Sequence, residues 1–240
     1  MFNFGVVAIG VAIGTWLALA AFAVRPDDSG KPAAAGEAEA EAIEGWGIKS
    51  MRGAVSLSLI ASIDSASRIG FLTFVAFLMI EKGVDTAWAA VAVLVTLFGG
   101  MCGKFACGLL AERVGIVKTI AITEIWTLAG IAAVVYLPNY AAFALLPILG
   151  IALNGTSSVI YGTVGELVDD RRHARTYGLI YTIGSICGII SPLFFGVFAD
   201  AYGISLAMMV IAASLAGTLL LLPMLARALR QLAAETTPRS

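Results

Sequence analysis

The chain is short of the residues on which soluble proteins and most enzymes depend. Only 13% of its 240 residues are Asp, Glu, Lys or Arg, about half of the roughly 25% usual in a soluble domain. His173 is the single histidine, and the three cysteines, Cys102, Cys107 and Cys187, lie inside apolar runs without zinc spacing. Free, inert thiols follow, and neither a metal nor another cofactor is expected. No HExxH, nucleophile elbow or Cys-His set is present, so the sequence offers no enzyme constellation. A net charge of −1 argues against nucleic acid as a partner.

Apolar residues fill the space those absences leave. They make up 60% of the chain, and the mean hydropathy is +0.94. Seven apolar segments stand out, at roughly 2–24, 53–80, 87–110, 117–137, 140–166, 174–199 and 203–226. Each is near the about 20 residues that cross a hydrocarbon core as helix. None alternates polar and apolar with period two, which excludes a barrel and leaves helices, since every backbone group must be satisfied in lipid. The expected fold is an all-α polytopic membrane bundle with seven transmembrane helices.

Residues 25–52 read as the one real linker. Arg25-Pro26-Asp27-Asp28-Ser29-Gly30-Lys31-Pro32 breaks the helix, and GEAEAEAIE then has too few large apolar groups to pack. The expected organisation is a helix at 1–24, a linker at 25–52, a bundle at 53–230 and a tail at 231–240. Placing the linker in the cytoplasm puts twelve Lys and Arg on that side and only Lys82 outside, with Arg68 and Lys104 intramembrane. The C-terminus is then cytoplasmic and Met1 lies outside. A charge-free n-region and a long apolar stretch make 2–24 a retained helix rather than a signal peptide, natural for the later part of a longer membrane chain.

Asp64 and Arg68 lie near the middle of the second span, four residues apart and so on one helix face. A charge at that depth costs roughly 2.5–3.5 kcal/mol on insertion scales, so such residues pair or line a watery path. In the fifth span Gly150, Asn154, Ser157, Ser158, Tyr161 and Gly165 recur on one face, small and polar. Helix packing explains such a stripe as well as a lining does. Lys104 and Glu124 both lie roughly 10 Å deep in consecutive spans and are expected to pair. A substrate or proton pathway is accordingly assigned to Asp64, Arg68, Phe71, Asn154 and Tyr161.

The loop after the third span carries a specific resemblance. Gly108-Leu-Leu-Ala-Glu112-Arg113-Val-Gly115-Ile-Val-Lys118 resembles the second-half copy of the major facilitator superfamily loop motif, with Glu112 where Asp is usual. Gly165-Glu166 through Arg175 and Gly178 is similar to the family's loop before the penultimate helix. Gly184, Gly188, Pro192, Gly196, Asp200 and Gly203 resemble that helix itself. The resemblance implies that 53–230 corresponds to helices seven to twelve and 2–24 to helix six. It further implies alternating access between two six-helix bundles, with substrate at the midplane and this chain supplying one wall. Gly108, Glu112, Arg113, Gly115, Glu166 and Arg175 would form a cytoplasmic gate, and His173 in the same loop reads as solvated. The expected partners are membrane lipid, a small solute (amphipathic, zwitterionic or of a broad drug-like range) and the N-terminal half, in the same or a separate chain, in a plasma or inner membrane. Coupling to a proton gradient stays open. The runner-up is a non-transporting scaffold or inactive half-protein.

Overall fold

The computed structural model describes residues 47–236. The helix expected at 2–24, most of the linker and the residues beyond 236 lie outside that range. Six helices run through it: α1 (Met51–Glu81), α2 (Thr86–Val114), α3 (Ile116–Tyr136), α4 (Asn139–Gly162), α5 (His173–Tyr202) and α6 (Ile204–Thr236). All six are long and apolar enough to cross a membrane. Six of the seven apolar segments are helices among the described residues, and the first lies outside them.

Their ends follow from local chemistry. Ser50 Oγ accepts from the Gly53 N–H at 3.2 Å, and an Asp85 carboxylate oxygen accepts from the Ala87 N–H at 2.9 Å, capping α1 and α2. Gly115 alone links α2 to α3 and Gly203 alone links α5 to α6, with φ of +92° and +90° and ψ of 152° and 158°. That region is essentially closed to residues with a Cβ, so each reversal needs glycine. Between α4 and α5 runs a short helical turn at Val164–Leu167 and a 3₁₀ turn at Asp170–Arg172. The segment entering α1 pairs with this connection, Lys49 N donating to Leu167 O and Asp169 N to Gly47 O, both at 2.9 Å.

Antiparallel succession puts Lys49, Arg52, Arg113, Lys118, Arg171, Arg172, Arg175, Arg227 and Arg230 at one end of the bundle, hereafter the basic end. Lys82 alone among the described basic residues sits at the other. Its ammonium donates to the carbonyls of Val134, Val135 and Leu137, which α3 leaves without N–H partners at its C-terminus. Asn139 Nδ2 in turn donates to the Lys82 carbonyl at 3.2 Å. The α1–α2 turn is thereby tied to the α3–α4 turn.

Succession in sequence does not by itself set the packing. α2 packs chiefly on α4, α1 on α5 and α6, and α3 on α4 and α6. The α2–α4 contact is backbone to backbone: a Cβ built on Gly99, Gly103 or Gly150 would lie 1.9–2.1 Å from the carbonyl oxygen of Pro147, Ile151 or Thr96. Small residues allow that approach, and dispersion holds it where lipid gives no hydrophobic drive. Gly184 and Gly188 of α5 likewise face Ala61 and Ser65 of α1.

Two apolar cores result. Leu57, Ile60, Ile120, Ile160, Leu167 and Leu225 fill the basic half, and Phe71, Leu78, Leu146, Leu149, Ile211 and Leu215 the opposite half. Asp64, Ser65, Ser67, Glu124, Thr127 and Thr218 are buried as well, but belong to neither apolar core. They lie near the middles of their helices and make a polar layer at mid-depth.

Candidate functional site at mid-membrane depth

The layer owes its polarity to three helices. α1 supplies Asp64, Ser65, Ser67 and Arg68, α3 supplies Glu124 and Thr127, and α6 supplies Ser214 and Thr218. The Ser67 and Ser214 hydroxyls hydrogen-bond at 2.8 Å, closing the α1–α6 side of the layer. Thr123 satisfies itself on the backbone of its own helix, donating to Thr119 O at 2.9 Å.

The charged groups are less well satisfied. Asp64 Oδ2 lies 3.8 Å from Arg68 Nε, an ion pair too long to be a hydrogen bond. Arg68 Nη2 reaches Ser65 Oγ at 3.4 Å, while its Nε is buried with no hydrogen-bond partner. Glu124 is 1% exposed, and its Oε1 is also buried without a partner. It lies within electrostatic reach of Asp64 on α1. The layer thus holds two carboxylates and one guanidinium, each with capacity left over. A stranded buried polar atom costs about 1–3 kcal/mol, so a further polar partner at these groups would be favourable.

One wall of the site is open. The Arg68 side chain keeps 21% of its exposure against 7% for Asp64, so the guanidinium is the group nearest the surface. Tyr161 of α4 lies within electrostatic reach of both, and its hydroxyl stands over Gly184, where a Cβ would come within 2.9 Å of it. Its ring packs on Tyr181 and Tyr177 of α5, with centroids 5.2 and 5.7 Å away. Tyr177 and Tyr181 stack nearly parallel at 6.2 Å and are 37% and 51% exposed. His173 adds its ring edge to Tyr177 at 6.1 Å. An aromatic ladder therefore climbs from the basic end to the charged layer.

Several sequence expectations are placed differently by the structure. Phe71 is fully buried in the apolar core and lines no path: it shares the face of Asp64, two turns on, where the bundle has already closed. Asn154 packs against Gly100 of α2 and donates only weakly, at 3.5 Å, to Gly150 O, so it serves the α2–α4 contact. Of the fifth-span stripe, only Tyr161 reaches the charged layer. Lys104 and Glu124 do not pair. Lys104 is exposed on α2 while Glu124 is buried on α3, because α2 packs on α4 rather than on its neighbour in sequence.

At the basic end, Glu112, Arg113 and Glu166 are exposed and form no ion pair with one another. Gly108 is open, Gly115 makes the α2–α3 reversal, and Arg175 is exposed at the start of α5. His173 is half-buried rather than solvated, its Nε2 unpartnered against the aromatic ladder. Residue-by-residue reading of the sequence missed Glu124 as a member of the Asp64 site, and missed Tyr177 and Tyr181. The i, i+4, i+8 spacing of His173, Tyr177 and Tyr181 was the available signal for one helix face. Cys102, Cys107 and Cys187 are free thiols.

The Major Facilitator Superfamily profile matches two overlapping stretches, residues 2–192 and 57–239. A protein of Escherichia coli (strain K12) described as "Uncharacterized MFS-type transporter YhjX" is 31% identical over 109 residues. That match takes in 43% of this chain and 27% of the length of the relative.

Proposed function

The chain belongs to the Major Facilitator Superfamily, and from that premise we propose that it supplies one wall of the central pathway of a secondary carrier. The carrier moves a small solute by alternating access, and the second wall comes from an N-terminal half in the same or a separate chain. Membrane carriers of this kind hold substrate at the bilayer midplane between rocking repeats. The observation that carries the reading is the mid-membrane layer, where Asp64 pairs with Arg68 and a second buried acid, Glu124, lies within electrostatic reach of Asp64.

Two ionised carboxylates against one guanidinium leave one negative charge uncompensated in low dielectric. A proton, or the cationic group of a zwitterionic solute, removes that excess. Arg68 stands toward the open side with donors unspent and takes a carboxylate or other acceptor of the solute. Tyr161, Tyr177 and Tyr181 present apolar faces and hydroxyls to the rest of it. Binding a solute and neutralising the acids are then one event, which gives a route to proton coupling. The Glu112, Arg113, Glu166 and Arg175 end acts as the gate, making facing pairs with the other half when that side closes, at modest cost because the pairs are partly hydrated. In this reading the basic end and the C-terminus face the cytoplasm of a plasma or inner membrane.

The test is uptake into cells expressing this chain together with an N-terminal half, using radiolabelled zwitterionic amino acids and a lipophilic cationic dye. Flux that needs both halves supports the carrier. Both halves present, folded and inactive toward the whole set would favour a scaffold.

A further inference from the structure

Away from the charged layer, a groove of about 440 Å³ opens at the basic end between α1 and α6. Arg52, Leu220, Pro223, Met224, Arg227, Ala228 and Gln231 line it. We propose that this groove is a binding site for one anionic phospholipid, its phosphate held between Arg52 and Arg227 and an acyl chain lying along Leu220, Pro223 and Met224.

The register of α6 sets up the gradient such a ligand needs. Residues 220, 223, 224, 227, 228 and 231 recur at three- and four-residue steps, so they share one face. At about 1.5 Å per residue, Leu220 lies roughly 24 Å along α6 from Ile204 and Arg227 roughly 35 Å. A hydrocarbon core is about 30 Å thick, so Leu220 lies inside it and Arg227 just beyond. The groove therefore runs from an apolar floor at membrane depth to a doubly basic mouth at headgroup level. Leu220 is 81% exposed, an apolar side chain with nothing of this bundle covering it.

The mouth has charge to spare. Arg52 and Arg227 are both exposed and have neither ion pair nor hydrogen bond among the described residues. Arg52 stands in the first turn of α1, whose positive helix end adds to the attraction for an anion. The site is built on firm packing, since Gly53 and Ala228 bring the two helices together at its base, where a Cβ on Gly53 would lie 3.0 Å from that of Ala228. Basic pockets between membrane helices at headgroup level are suited to anionic lipid in this way.

Native mass spectrometry of the full chain in detergent, titrated with dioleoyl phosphatidylglycerol or dioleoyl phosphatidylcholine, tests the proposal. Each arginine near an anionic headgroup is worth about fivefold in affinity, so the chain should prefer phosphatidylglycerol by roughly 10- to 25-fold. Arg52→Gln with Arg227→Gln should bring the two lipids to parity, whereas Arg52→Lys with Arg227→Lys keeps the preference. Where the double Gln variant does not fold, Arg227→Gln alone, on an exposed face of α6, should cut the preference about fivefold. Equal binding of both lipids by the unmodified chain, or an unchanged preference in the Gln variants, overturns the proposal. Displacement of phosphatidylglycerol by equimolar glycerol 1-phosphate also overturns it, because the site would then read a soluble anion rather than a lipid.

Discussion

Replacing Gly150 with alanine puts the packing account under the most direct strain. The added Cβ would stand 2.0 Å from Thr96 O and 3.2 Å from Gly100 N, both backbone atoms of α2 that no side-chain rotation can move aside. Reaching ordinary contact at 3.4 Å requires α2 and α4 to part locally by about 1.4 Å, the difference between those distances. The same movement opens the neighbouring contacts of Gly99 with Pro147 and of Gly103 with Ile151. Overpacking of this kind costs about 1–3 kcal/mol, against a gain of roughly 0.5–1 kcal/mol from replacing a helical glycine with alanine. Gly108, on α2, has nothing within 4 Å of its would-be Cβ, so Gly108→Ala should show only the gain. Unfolding in mixed micelles by increasing SDS mole fraction, followed by circular dichroism, compares the two. Gly150→Ala should be destabilised by about 1–2 kcal/mol and Gly108→Ala stabilised by up to about 1 kcal/mol. Equal shifts in the two variants would refute backbone contact between α2 and α4.

The turn anchor gives a second expectation: Lys82→Met strips the Val134, Val135 and Leu137 carbonyls of their donor and should cost about 1–2 kcal/mol in the same assay, with Lys82→Arg recovering part of it. Because Lys104 is exposed and unpaired with Glu124, Lys104→Ala should change stability by less than about 0.5 kcal/mol, and the double-mutant cycle of Lys104→Ala with Glu124→Ala should show no coupling. A coupling above about 1 kcal/mol would restore the pair. Single cysteines at Gly83 and Asn139 should label from one side of the membrane and those at Gly115 and His173 only from the other, in cells treated with a membrane-impermeant maleimide.

What the sequence makes legible, and what it hides, divides along physical lines. Helix existence is a local property: an apolar run of membrane length has nowhere to satisfy its backbone but in a helix, and the six described helices lie at the segments so identified. Depth along a helix is also local, which is why Asp64 and Arg68 could be placed in mid-membrane and on one face. Neighbourhood is not local. Lys104 and Glu124 were matched by depth on consecutive helices, yet α2 turns its glycines to α4 and leaves Lys104 outside, while α3 carries Glu124 in toward Asp64. Phe71 illustrates the same limit, because a face that lines a polar layer at Asp64 is sealed in apolar core two turns later. The glycines of the loop motif were legible in kind, and Gly115 proved to hold a backbone conformation that other residues rarely adopt.

The central claim is that the Asp64, Arg68 and Glu124 layer handles the transported species and does not merely hold the bundle together. The measurement that tests it most directly is solute uptake by proteoliposomes containing this chain with its N-terminal half, across external pH, alongside thermal stability of the same preparations. Asp64→Asn and Glu124→Gln keep size and hydrogen bonding while removing the excess charge. Each should lower uptake at least about tenfold and flatten its pH dependence, with stability altered by no more than about 1 kcal/mol. Variants that lose stability while the surviving protein takes up solute with an unchanged pH profile would contradict the account and make the layer structural.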